Sequence, residues 1–272
     1  MGAEPASHHA DSGQGVPSGG VRAPRRTAVR WPLILSGTLV AALLLSALAF
    51  PGEVARWYLA AALEAYTEGD VAAALSHVDR AIAWDPHSSR LYQFRTLVYQ
   101  RLGRHADAVR DWNIIVEAVR KQHARHPEPT RYELAQSLNN RAYARALGQI
   151  EIDRGLADIQ EAFEILGTED VSYMLDTRGY LRHLAGADLQ AKSDLQRAIQ
   201  LAQSSATSGL GKAPDTLRPD GGLVLDGQTV RELAVLYHHR GLIHRRLGES
   251  REAEADLELA ERLGYGPENG VW

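Results

Sequence analysis

Cysteine is absent from the 272-residue chain. Disulfides, thiolate zinc sites, iron–sulfur clusters and a cysteine nucleophile are therefore excluded. The redox compartment stays open, because a chain without thiols is compatible with any. Lysine is nearly absent as well, with Lys121, Lys192 and Lys212 the only three among 30 basic residues. A basic surplus is also lacking. Arg22, Arg25, Arg26 and Arg30 precede Trp31, against Glu4 and Asp11, and beyond Gly52 stand 26 basic and 32 acidic residues, net −6. Displacing counterions from a phosphate backbone needs the opposite sign. No nucleic-acid partner is expected.

Charge is missing altogether from Trp31 to Gly52, 22 residues that include PLILSGTLVAALLLSALAF. At 1.5 Å per helical residue this run covers about 33 Å, enough for a hydrocarbon core of ~30 Å. Trp31 stands at one end, with Trp57 and Tyr58 just past the other, where aromatic rings favour headgroups. Four arginines precede the run and only Arg56 follows closely, which predicts a cytoplasmic N-terminus and everything after residue 52 outside the cytoplasm. A cleavable signal peptide is the rival reading, because Ala47-Leu48-Ala49 is a small-x-small site. The leader before the run and the run itself are both long for one, so we read 31–52 as an uncleaved single-pass anchor. Residues 1–30, rich in Gly, Pro, Ser, Ala and His, have the composition of a disordered cytoplasmic tail. Either reading exports the body.

The body repeats one pattern five times. Five small residues, Ala62, Thr96, Ala142, Gly179 and Gly241, serve as anchors. Seven residues on stand Gly69, Gly103, Gly186 and Gly248, placed to turn the chain between two helices. Twelve on stand Ala74, Ala108, Ala191 and Ala253. Sixteen on come Val78, Trp112, Leu195 and Leu257, and nineteen on come Ala81, Ile115, Ala198 and Ala260. The third unit fits with one inserted residue, through Gly148, Gly155, Ile159 and Ala162. Small residues at such offsets let helix backbones approach, and the large one fills the gap. Apolar residues at helical spacing run through every unit, as in LSHVDRAIAW.

This pattern resembles the tetratricopeptide repeat family, whose unit is a helix–turn–helix of 34 residues. The first two anchors are 34 residues apart, and the first unit ends in the family's Asp85-Pro86. The later spacings of 46, 37 and 62 interrupt the array. The fold class that follows is all-α: an α-solenoid of about five such units over 53–270, preceded by one transmembrane helix. The units fall near 55–88, 89–126, 130–168, 171–203 and 229–267, with a loop over 204–228. Thr130-x-x-Glu133 and Thr229-x-x-Glu232 read as capping boxes opening units three and five.

One polar feature recurs in register. Arg95, Arg141, Arg178 and Arg240 precede the anchors, and Asp111, Asp158, Asp194 and Asp256 precede the large apolar positions. One partner falls on each helix of a hairpin, and we read the row as structural ion pairs. Unit one has Ala61 and His77 there and should lack the pair.

Signatures of chemistry are missing. Gly209-Leu210-Gly211-Lys212 lacks the first glycine of a phosphate loop, and Ala213 stands where Ser or Thr should follow the lysine. His123 and His126 share a helical face, and His238, His239 and His244 cluster, but no carboxylate completes a metal set. Arg120, Lys121, Arg125 and Arg131 read as cations complementing a helix C-terminus. No nucleophile–base pair is visible, so no enzyme, cofactor or metal is expected.

What the resemblance implies about function is a membrane-anchored scaffold that binds an unknown protein or peptide on its concave face. The face would be built by Tyr66; by Gln93, Gln100 and Arg101; by Asn139 and Tyr143; by Asp176, Tyr180 and His183; and by His238, Leu242 and Arg245. A subfamily clamps a carboxylate with a Lys/Asn/Arg set. Asn140 matches one of these, but Tyr173 and Thr177 replace the expected cations, so that clamp is not expected. The alternatives are a structural subunit of an envelope assembly complex, an exported soluble protein after signal cleavage, or a cryptic site in the 204–227 loop.

Overall fold

Each unit begins with a helix that ends where a residue must adopt the left-handed conformation, and four times that residue is the turn glycine. Gly69, Gly103, Gly186 and Gly248 have φ of 86°, 67°, 82° and 78°, a region nearly free of penalty only for glycine. The computed structural model describes residues 50–210 and 227–266. Among these it forms ten helices: α1 (Pro51–Thr67), α2 (Val71–Trp84), α3 (Ser89–Arg101), α4 (His105–Arg125), α5 (Pro127–Gly148), α6 (Ile152–Leu166), α7 (Ser172–Leu184), α8 (Asp188–Leu210), α9 (Gly227–Arg246) and α10 (Ser250–Arg262). They pair as five antiparallel hairpins, α1/α2 to α9/α10, and each second helix packs on the first helix of the next hairpin. This is the stacked helix–turn–helix architecture of an α-solenoid.

The small anchors are where the hairpins close. A Cβ on Gly179 would lie 2.0 Å from Leu195 Cδ2, and one on Gly241 would lie 2.8 Å from Leu257 Cγ. Ala62, Ala142, Val78 and Leu195 are fully buried, so knob packs into hole inside the hairpins. One apolar core then runs from Ala55 through the stack to Ile243.

All four arginine–aspartate pairs meet inside their hairpins, each as a two-pronged contact. Arg95 donates from Nε and Nη2 to Asp111, both at 2.7 Å. Arg141 reaches Asp158 at 2.9 and 2.7 Å, Arg178 reaches Asp194 at 3.1 and 2.8 Å, and Arg240 reaches Asp256 at 2.7 and 2.8 Å. Burial alone would lower the Arg95 pKa, but its bonds to Asp111 and Asp79 raise it instead. Two of these arginines also stitch neighbouring units together. Arg95 Nη1 donates to Asp79 of α2 at 2.7 Å, and Arg141 Nη1 donates to Asn113 of α4 at 3.1 Å. A further row, one helical turn on, is not among the sequence expectations. Arg145 joins Asp158, Arg182 Nη1 reaches Asp194 at 2.6 Å, and His244 Nε2 lies 3.6 Å from Asp256. Arg120 and Arg131, read as cations at the end of one helix, instead reach across. Arg120 binds Glu161 of α6 at 2.7 and 2.8 Å, and Arg131 caps the Leu166 carbonyl at 2.7 Å.

Several boundaries differ from the sequence reading. Helix α5 begins at Pro127, not at Thr130: proline lacks the N–H that an N1 residue would leave unpaired. Thr130 lies inside the first turn, where its hydroxyl donates to the His126 carbonyl at 2.7 Å. Helix α9 begins at Gly227, two residues before Thr229, and Ser172 donates to the Glu232 carboxylate. Helix α8 continues to Leu210, seven residues into the segment expected to be loop. In the third hairpin Gly148 ends the helix with an ordinary φ, and Gln149 (φ 50°) and Glu151 (φ 49°) take the left-handed positions. Gly148 is needed for another reason, since a Cβ there would lie 2.7 Å from His105 Cβ. Helix α1 opens at Pro51, inside the tail of the expected membrane span. Residues 31–49 of that span, the tail before it and residues 211–226 of the loop lie outside the described residues. Among the described residues no helix is long and apolar enough to cross a membrane.

A cleft between three first helices

The first helices of the last three hairpins pack in order, α5 on α7 and α7 on α9. Each turns a stripe at helical spacing toward one cleft of about 440 Å³. Gln136, Asn139, Asn140 and Tyr143 come from α5; Tyr173, Asp176 and Thr177 from α7; Gln228, Arg231, Glu232, Val235 and Leu236 from α9. Side chains three, four and seven residues apart share a helix face, so the stripes follow from helix geometry alone.

At its buried end the cleft is polar and incompletely paired. Asn139 and Tyr143 are each 5% exposed. Among the described residues neither Asn139 Oδ1 nor Tyr143 Oη has a hydrogen-bond partner. Burial, and then the nearby Asp176 charge, push the Tyr143 phenol well above its ordinary pKa. Asp176 Oδ1 accepts from His239 Nδ1 at 2.7 Å, across the α7–α9 contact.

Beside the cleft runs a column of stacked rings. Tyr180 lies flat on His239, with centroids 4.5 Å apart and planes 7° apart. His238 stacks on Tyr265 at 3.9 Å. Burial, reinforced by His239 and Arg245, pulls the His238 pKa down to about 4. His183 pairs with Asp188 at 2.5 Å, and Gln203 Nε2 donates to the Tyr237 hydroxyl at 3.1 Å.

The concave-face positions read from the sequence thus separate into groups. Asn139, Tyr143 and Asp176 line the cleft. Tyr180, His183 and His238 form the ring column with His239 and Tyr265. Asp176 Oδ1 and the His183 ring are therefore engaged in internal pairs. Arg245 is exposed and lines a second opening with Leu257 and Glu258, against α10. Half-buried Leu242 lies one turn from it. In the first two hairpins Tyr66 packs edge-on against Phe94 at 5.7 Å, and the Arg101 guanidinium lies 5.1 Å from the Tyr66 ring. Gln93 is exposed and Gln100 half-buried. The α9 wall, from Gln228 to Leu236, is not among the sequence expectations. Its signal was the i, i+3, i+4, i+7 stripe preceding His238.

Comparison with known proteins gives fold and little more. No family model matches the chain, and no curated protein sequence matches it. Among solved structures, BtubC from P. vanneervenii is 18% identical over 84% of this chain and 88% of its own, with a TM-score of 0.52. MamA protein is 15% identical over 78% of this chain and 92% of its own, with a TM-score of 0.46. A tetratricopeptide repeat protein from Parabacteroides merdae is 16% identical over 80% and 96%, with a TM-score of 0.25. The likeness to BtubC is a likeness of fold.

Proposed function

We propose that the protein is an interaction scaffold that holds a segment of a partner protein in the cleft between α5, α7 and α9. The observation that carries this reading is the pair of buried, unpartnered polar atoms, Asn139 Oδ1 and Tyr143 Oη, on side chains lining a 440 Å³ cleft. A buried polar atom without a partner costs about 1–3 kcal/mol, which a ligand that pairs with it would recover. The reading is of a binding protein, with the Asp176–His239 bond holding α7 to α9 at the buried end of the cleft. The uncharged run over 31–52 and the four arginines before it support tethering to a membrane, with the hairpins outside the cytoplasm.

Two experiments test this. A photo-crosslinking residue at exposed Gln136 should capture one defined protein from the native membrane, and Asn140→Trp, which fills the cleft, should abolish the capture. Undiminished capture by a folded Asn140→Trp protein would place the binding surface elsewhere. Alkaline phosphatase fused after Trp272 should be active. An inactive fusion beside an active cytoplasmic reporter at the same site would reverse the topology.

A further inference from the structure

The charge of the cleft is one-sided. Asn139 Oδ1 and a carboxylate can only accept hydrogen bonds, and the buried end holds both beside the Tyr143 hydroxyl, which accepts as well as donates. Asp176 is 8% exposed, with Oδ1 taken by His239. Its negative charge lies close enough to Tyr143 to help hold the phenol proton in place. Glu232 supplies a second carboxylate, oriented by the Ser172 hydroxyl. Among the described residues the one cation of the lining, Arg231, is exposed. The lining carries net −1, with its negative charge inside and its positive charge outside. A ligand that pairs with Asn139 Oδ1 and Asp176 must bring donors, and a carboxylate ligand would meet Asp176 and Glu232.

A main-chain amide brings one donor and no charge. A guanidinium brings five donors in a planar fork together with a positive charge that burial does not remove. It also stacks on aromatic faces, and Tyr173, 44% exposed, offers one at the mouth. A volume of about 440 Å³ lies within the range of small-ligand sites. We infer that the cleft is an arginine pocket, taking the guanidinium of one arginine of the partner polypeptide. Asn139, Tyr143 and Asp176 are its acceptors, and Glu232 is the second counter-charge. The inference rests on the cleft being the binding surface. Its discriminating power lies in the unpaired atoms, because a side chain without donors leaves them unpaired in the complex as well.

The test uses the full chain in detergent micelles. Its probes are capped peptides with randomised flanks and one fixed central residue, drawn from the standard amino acids and citrulline. Citrulline keeps the shape of arginine and loses the charge. Arginine-centred peptides should be retained roughly tenfold or more above citrulline-centred ones. Glu232→Gln and, separately, Asn139→Leu should each reduce that preference severalfold while the helical circular dichroism is unchanged. Equal retention of arginine and citrulline overturns the arginine pocket. So does equal retention of lysine and arginine, or a preference untouched by both variants. If peptides with other centres bind and Asn140→Trp abolishes their binding, the arginine pocket falls and the cleft stands. Binding that survives Asn140→Trp overturns both. If no peptide is retained, the arginine pocket falls, and crosslinking at Gln136 decides the cleft on its own.

Discussion

Adding one methyl group at Gly179 tests the packing argument directly. In an unconstrained helix, glycine to alanine stabilises by about 1 kcal/mol, because alanine loses less backbone entropy. At Gly179 the new Cβ would lie 2.0 Å from Leu195 Cδ2, 3.2 Å from the Ala191 carbonyl oxygen and 3.3 Å from Asp194 Cβ. Leu195 is fully buried, so its side chain has no empty space to swing into, and the Ala191 oxygen is backbone. Overpacking of this kind costs about 1–3 kcal/mol. A 2.0 Å approach puts the cost in the upper part of that range, about 2–3 kcal/mol, so after the entropy gain the expected net is a destabilisation of about 1–2 kcal/mol, or some 2–8 °C in Tm for a domain of this size. Thermal unfolding followed by circular dichroism reads it. The decisive arm is Leu195→Ala, which alone should cost about 2–5 kcal/mol through the cavity it leaves. In that background Gly179→Ala should become neutral or stabilising, because its methyl now enters free space. A Gly179→Ala protein more stable than the parent, or one whose effect does not change with Leu195→Ala, would refute the reasoning.

The remaining predictions concern pairs, turns and protons. Arg178→Met leaves the Asp194 carboxylate, 6% exposed, with a single cation and should cost about 3 kcal/mol in urea unfolding. The double variant with Asp194→Leu should cost less than that single change. Gln149→Gly should stabilise by roughly 1 kcal/mol, because Gln149 holds φ at 50° where a Cβ is penalised; loss of stability would show that its side chain matters more than its backbone. His238 titrates near 4 when folded against an ordinary 6.5. The unfolded chain therefore takes up a proton that the folded one refuses, and stability falls as pH is lowered from about 6.5 to about 4. His238→Phe, which keeps a ring on Tyr265, should flatten that part of the pH profile.

The hairpins are legible in the sequence because their signal is local. Anchors such as Ala62 and Gly179, and the turn glycine seven residues on, are set by the close approach of two adjacent helices, which sequence spacing reports. The arginine–aspartate positions are legible for the same reason, since both partners sit at fixed offsets within one unit. What stays hidden depends on residues far apart. Arg145, Arg182 and His244 follow the arginine row by one turn, but their role exists only because each aspartate can accept from a second side. The α9 wall of the cleft, Gln228 to Leu236, faces α5 residues some ninety positions away, a distance that no local pattern carries. Pro127 misleads because proline reads equally as a stop or a start, and the chain uses it as a start. The third turn misleads because Gln149 carries a conformation usually left to glycine, so the glycine beside it draws the assignment.

The stitching of Arg95 to Asp79 and of Arg141 to Asn113 gives the solenoid an uneven stiffness. These bonds run from a first helix to the second helix of the preceding hairpin, so the first three hairpins behave as one braced beam. The last two are braced as well, by Lys192 on Glu249 and His239 on Asp176. Between the beams, Arg178 turns its third nitrogen to Glu169 and Arg197 holds Asp170, both in the connecting segment, while α6 itself meets Arg178 through the Phe163 ring. Charged ties that end on the connecting segment brace α6 against α7 less directly than a fork between the two helices would. The cleft spans this joint, with Asn139 and Tyr143 on one beam and Asp176 and Glu232 on the other. Its width is therefore the coordinate that bending changes, and a load applied to either beam acts as a lever on whatever the cleft holds.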